Sequence, residues 1–274
     1  PMLIGNIAQQ LYSTVDTIVV GNYASNGDDC IAAVGSALPI LNMLLVLFIG
    51  ISAGASVMVA QYFGAKNRKA LSYTIGNCLT ATAVASVALI LIAAPFIRQI
   101  LVFLNTPPEI LQWCYEYLMI SLIGIAGMAY YNILSGILRG LGDSVSALVY
   151  LLIATAINIV LDIWFVAGFK MDVAGVALAT VIAQFISSIL CLIKLARMKQ
   201  HFDFGAKYLK PKSHYIKTLV KLGLPSGLTQ AIISSAMITV QALTNQFGEQ
   251  FIAANVIIMR VDGFAKMRNF SFGM

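Results

Sequence analysis

Long apolar runs separated by short polar segments make up nearly the whole of this chain. A run of about twenty apolar residues reaches across the hydrocarbon core of a bilayer as a helix. On that reading the pattern predicts spans over residues 1–23, 36–62, 73–104, 113–134, 151–168, 173–195 and 218–247, with an eighth starting near Phe251. Pro95 is expected to kink the third span, because proline removes a backbone hydrogen bond and clashes with the preceding turn. Residues 24–33, which carry Asp28 and Asp29, read as a polar loop. Thr106-Pro107-Pro108 reads as a turn, and residues 198–217 as a polar, basic linker. The chain begins and ends within apolar segments and shows no charged leader or cleavage site, so it reads as cut from a longer protein without a signal peptide.

Composition fits an integral membrane protein. Of 274 residues, 59% are hydrophobic and 10% charged, with a mean hydropathy of +0.87. Soluble domains carry about a quarter charged residues. The net charge of +6 does not point to nucleic acid, since the basic residues sit in a few connections. Lys66, Arg68, Lys69, Arg139 and the lysines of the 198–217 linker follow the second, fourth and sixth spans; the other connections hold little beyond Arg98 and Lys170. This alternation places the basic loops and the N-terminus in the cytoplasm and the chain in the cell membrane, plasma or inner, as a multi-pass protein. Cys30, Cys78, Cys114 and Cys191 have neither metal nor redox spacing, and His201 and His214 form no ligand motif.

Within this apolar background a few polar residues stand out. Asn158 and Asp162 lie in the fifth span, four residues apart and so on one helical face, about 6 Å apart along the axis. A carboxylate in mid-membrane costs roughly 2.5–3.5 kcal/mol on insertion scales, so it marks either an ion pathway or a hydrogen bond between packed helices. Asp16 is a second acid, alone among apolar neighbours. Gly140-Leu141-Gly142-Asp143 matches the Gly-x-Gly-Asp pattern of intramembrane aspartyl proteases, but the chain has no Tyr-Asp pair to supply the second catalytic acid. Nor does Gly-Lys-Ser/Thr follow, so it is no phosphate loop. Arg139 and Asp143 are read instead as a loop clamp, and Asp262 and Lys266 as a pair one helical turn apart. Gln184, Gln230, Gln241, Asn245 and Asn255 are expected to face the bundle interior. Met43, Met119, Met128, Met237 and Met259 suit either an adaptable cavity wall or lipid-facing filler.

A faint repeat relates Pro1 and Cys30-Ile31-Ala32-Ala33 to Pro225 and Phe251-Ile252-Ala253-Ala254. Two copies separated by six spans form parallel repeats about an axis normal to the membrane. Taken together, QQLYSTVDTIVVG (residues 9–21), VAQYFGAKN (59–67), ILRGLGDS (137–144), NIVLD (158–162) and VAGVALAT (173–180) resemble the multidrug and toxic compound extrusion family, the MATE transporters, in its DinF-like branch.

The resemblance implies an all-α fold, with a six-helix first lobe over residues 1–197, a basic cytoplasmic linker over 198–217 and the first two helices of a second lobe over 218–274. It implies a secondary active antiporter, not an enzyme, that exchanges Na⁺ or H⁺ for cationic or amphipathic organic compounds by alternating access. No cofactor is expected, and the full-length protein is expected to be monomeric. The family's first-lobe cation site falls on Asp16, Asn158, Asp162 and Thr180, which places any Na⁺ on these four residues. Counted along their helices, Asp16 and Asp162 both lie about 22 Å from the cytoplasmic side, and Thr180 about 10 Å from the outer side. Gln184, Gln230, Asn255 and Arg260 are candidates for the substrate cavity. A coupling Glu that some relatives carry in the seventh helix is replaced here by Ile233, and Lys266 and Arg268 bring unexpected charge to the eighth. The rival reading is a lipid-linked oligosaccharide flippase of the same superfamily. Such a protein needs several basic cavity residues for the pyrophosphate, and the first six spans hold almost none.

Overall fold

The computed structural model describes the backbone of residues 2–198, 200–203 and 205–272, and the side chains of residues 7, 11, 13–198, 200–203, 205–259, 261 and 262. Among these every regular element is helical: α1 (Met2–Tyr23), α2 (Gly27–Gly64), α3 (Arg68–Ala93), α4 (Ile97–Phe103), α5 (Pro108–Ile123), α6 (Ile125–Gly140), α7 (Ser144–Asp162), α8 (Asp172–Arg197), α9 (Ala206–Leu209), α10 (Ser213–Thr244) and α11 (Glu249–Phe272). By length and hydropathy, α2, α3 with α4, α7 with the turn after it, and α8 can each cross a bilayer; α5 and α6 do so together as one bent span. This is fewer than the pattern predicts. α10 in particular carries Lys217, Lys221, Gln230 and Gln241 among its apolar residues, which dilutes its hydropathy.

α2 organises the rest. Its 38 residues make about 57 Å of helix, more than a bilayer core requires. α3, α5, α6, α10 and α11 all pack on it, while α7 and α8 close the lobe against α1, α5 and α6. Glycine and serine bring the backbones close. On one face Ser52 donates to the Asn132 carbonyl at 2.7 Å, opposite Gly136 of α6. On another, Gly50 and Gly54 meet Gly223 and Gly227 of α10 backbone to backbone. Small residues at such spacing allow the close approach on which helix association in a membrane depends.

Several local expectations are corrected. α2 starts at Gly27, so Asp28 and Asp29 lie in its first turn, where the helix dipole favours acids, and not in a loop. The fourth span is broken: α5 and α6 bend by 53° at Gly124, where a Cβ would collide with Val181 of α8. The third span does break at its proline, as a 3₁₀ turn over Ala94–Phe96. Asp143 is clamped by Lys194 of α8 at 3.1 Å, not by Arg139. It also caps α7, accepting from the Ser146 N–H at 3.0 Å and the Ser146 hydroxyl at 2.8 Å. Partial burial pushes the Asp143 carboxyl up, but those donors and Lys194 outweigh it and hold the group below its ordinary range. Lys194 comes from 51 positions away, which no local pattern could indicate.

The basic linker is not a free tether. Arg68 donates to Asp203 at 2.7 and 3.1 Å and to the Gln200 carbonyl at 2.9 Å. Asn77 accepts from the Lys212 N–H at 2.6 Å, and Thr80 donates to the Leu209 carbonyl at 2.7 Å. These bonds strap residues 200–203 and 205–212 along the start of α3. Tyr215 then stacks on Tyr73, with ring centroids 5.6 Å apart, and leads the chain into α10.

A buried polar cluster and a separate cavity

Four residues on three helices converge at the far ends of α1 and α7, away from the basic loops. α1 supplies Asp16, α7 supplies Asn158 and Asp162, and α8 supplies Thr180. Asp16 and Thr180 are 7% and 8% exposed, and Asn158 and Asp162 fully enclosed. The Asn158 amide donates to the Thr180 hydroxyl at 3.5 Å. The Asp16 and Asp162 carboxyls lie within interaction range of each other, close enough to repel when both are charged. Even so, neither Asp162 oxygen closes a well-formed hydrogen bond, and Asn158 Oδ1 also lacks one. Buried polar oxygens without partners cost free energy. A proton or a small cation placed among them relieves that cost.

The donor set decides which cation suits the cluster. Two carboxylates, an amide oxygen and a hydroxyl are hard oxygen ligands. The backbone adds a feature of its own. Directly after Asp162 the helix widens into a π turn over Ile163–Gly168. Such turns break the regular hydrogen-bond ladder and recur at functional sites. Sequence periodicity gives no sign of it.

The cavity is a different place. It is a partly open cleft of about 280 Å³ between α2, α10 and α11. Gln230 and Asn255 line it, joined by Asn42, Ser234 and Gln241. Ile233, Met237 and Met259 supply apolar wall. Gln184 does not line it. It sits on α8, one turn from Thr180 towards the basic end, and its Oε1 is buried without a partner. The reason is that α8 packs against α5, α6 and α7, on the side of the lobe away from α10. The side chains of Arg260, Lys266 and Arg268 lie outside the described residues. Met119 and Met128 belong to the core rather than to the cavity wall. Asn42 was missed in the sequence, although it is a lone amide in an apolar run, the same signal that singled out Asn158.

A family profile described as MatE matches residues 1–164. A probable multidrug resistance protein, YoeA of Bacillus subtilis (strain 168), is 30% identical over 281 aligned residues, covering 100% of this chain and 60% of its own length. DNA damage-inducible protein F of Escherichia coli (strain K12) is 27% identical, covering 97% of this chain and 59% of its own. Among solved structures, the MATE multidrug transporter DinF-BH superposes with a TM-score of 0.88 at 26% identity, over 97% of this chain and 59% of that one. The chain thus spans about three-fifths of the length of the relatives it matches.

Proposed function

This chain belongs to the MatE family of multi-pass membrane transporters, and from that premise we propose that it forms the ion-coupled part of a secondary active exporter of organic compounds. One observation carries the reading: two carboxyls, an amide and a hydroxyl from three helices are buried together, and oxygens of Asp162 and Asn158 are left unsatisfied. The coupling ion, Na⁺ or H⁺, is taken up among Asp16, Asn158, Asp162 and Thr180. With the ion present, α1 and α7 hold their acids close. Without it, like charges in a low dielectric push the helices apart. The exchange thereby biases the lobe between two packings, which is what coupling requires. Cargo, cationic or amphipathic, occupies the α2–α10–α11 cavity, whose methionines and amides suit variable shapes. The flippase alternative is weaker, because the described cavity lining carries no basic side chain to hold a pyrophosphate.

Reconstitution tests the proposal. The full-length protein carrying this sequence is placed in vesicles held at zero membrane potential. Uptake of tetramethylrhodamine methyl ester, a fluorescent organic cation, is followed while a Na⁺ gradient or a pH gradient is imposed separately. One gradient should drive accumulation against the dye's own gradient. Dye movement indifferent to both gradients rules out coupled export.

The same reading puts the basic loops in the cytoplasm, supported by Lys66, Arg139 and Lys207 on one side and Asp28 on the other. Cysteines introduced at positions 66, 139 and 207 should resist an impermeant thiol reagent in intact cells, while position 28 reacts. Outside labelling at position 207 reverses the orientation.

A further inference from the structure

α2 and α10 run side by side and meet in three zones of different character. At the basic end, rings pack: Tyr62 and Tyr215 lie with centroids 6.3 Å apart. In the middle, Gly50 and Gly54 cross Gly223 and Gly227 with no side chains interlocked. At the far end the contact is polar and buried. Gln241 Nε2 donates to Asn245 Oδ1 at 2.8 Å and to Ser36 Oγ at 3.1 Å. Ser36 donates to Asn245 Oδ1 at 3.3 Å, and Asn245 Nδ2 donates to the Leu104 carbonyl at the end of α4 at 3.0 Å. Ser36, Gln241 and Asn245 are 2%, 6% and 4% exposed.

The cavity lies between the glycine crossing and this polar contact. Gln241 belongs to both, because it also lines the cavity, as does Gly35 next to Ser36. The geometry points to a latch: the Ser36–Gln241–Asn245 network, anchored on the Leu104 carbonyl, closes the cavity at the end away from the basic loops, and Gln241 senses cargo. The inference rests on the transport reading above. A glycine crossing holds two helices by backbone contact and lets them pivot. Hydrogen bonds of modest net strength at the far end can break, provided the freed groups find other partners. A cargo acceptor in the cavity supplies one for the Gln241 amide, and water entering at the opening supplies the rest. Cargo binding and opening towards the far side are then linked through one side chain. A purely structural fastening would hold α10 to α2 in every state and would be indifferent to cargo.

A reporter cysteine at Val240, exposed on the cavity wall, tests this in the full-length protein. The four cysteines of this chain are buried, and the parent protein without the reporter gives the labelling background. In intact cells, an impermeant maleimide added outside should modify Val240→Cys slowly. Gln241→Leu or Asn245→Leu should raise that rate about tenfold without any cargo, the worth of one ordinary hydrogen bond. Ser36→Ala, a milder change, should raise it less and guards against misfolding of the leucine variants. Equal rates in the parent and all three variants overturn the latch. Added tetramethylrhodamine methyl ester, whose ester carbonyl can accept from the Gln241 amide, should accelerate labelling in the parent and in Ser36→Ala, but not in Gln241→Leu. Equal acceleration in the parent and Gln241→Leu overturns the sensing role. If the dye neither binds nor moves while the cargo-free rates still separate, the latch stands and the export reading falls.

Discussion

Asp16→Asn and Asp162→Asn should each abolish gradient-driven export in the full-length protein while leaving it folded. The substitution keeps the shape of the side chain and removes its charge. On the proposed reading, what is lost is a ligand to the coupling ion within a buried cluster. Removing one partner of a buried charge interaction costs about 3–5 kcal/mol, a loss in ion affinity on the order of a hundredfold or more. Folding responds in the opposite sense, because two carboxyls within interaction range repel and an amide does not. The melting temperature in detergent should therefore hold or rise as transport disappears, a split that a merely structural pair would not produce. Asn158→Ala and Thr180→Ala remove neutral ligands and should weaken ion dependence by only about tenfold. The check is dye transport against imposed Na⁺ and pH gradients, alongside thermal melts. Either Asp variant exporting at the parent rate shows that the pair does not carry the coupling ion.

Gly54→Val and Gly223→Val are expected to separate α10 from α2. A Cβ at Gly54 falls 2.5 Å from the Leu219 carbonyl oxygen and 2.9 Å from the Gly223 nitrogen. At Gly223 it collides with the Gly50 carbonyl. These are backbone atoms of long helices and cannot step aside as a flexible side chain would. Overpacking a core costs typically about 1–3 kcal/mol, and here each Cβ meets backbone, so the cost should lie at or above the upper end. Both variants should melt well below the parent and lose transport, because the crossing sets the approach of the two helices on both sides of the cavity. Gly64→Ala is the control: it lies in the same helix with nothing within 4 Å of its Cβ. It should leave the melt unchanged or slightly raised, since alanine is the better helix former. A Gly54→Val protein as stable as Gly64→Ala would mean that the close crossing does not hold the helices together.

Much of this protein is legible in one dimension because a bilayer makes hydropathy a local rule. An apolar run of sufficient length becomes a helix whatever it packs against. Hence α2, α7 and α8 stand near their expected places, and the break at Pro95 falls where proline's geometry demands it. The cost of burying polar groups made Asp16, Asn158, Asp162 and the interior amides visible as residues apart. Their partners were not visible. That Asp16 lies within interaction range of Asp162, that Lys194 rather than Arg139 clamps Asp143, and that Gln241 and Asn245 reach back to Ser36 are facts about pairs more than fifty residues apart. The bend at Gly124 and the π turn after Asp162 leave no trace in hydropathy, and the position of Gln184 outside the cavity depends on which side of the lobe α8 occupies. Sequence periodicity states which face of a helix is polar or small. Only the packed arrangement decides which helix meets that face and at what depth, because that choice depends on shape complementarity summed over the whole bundle.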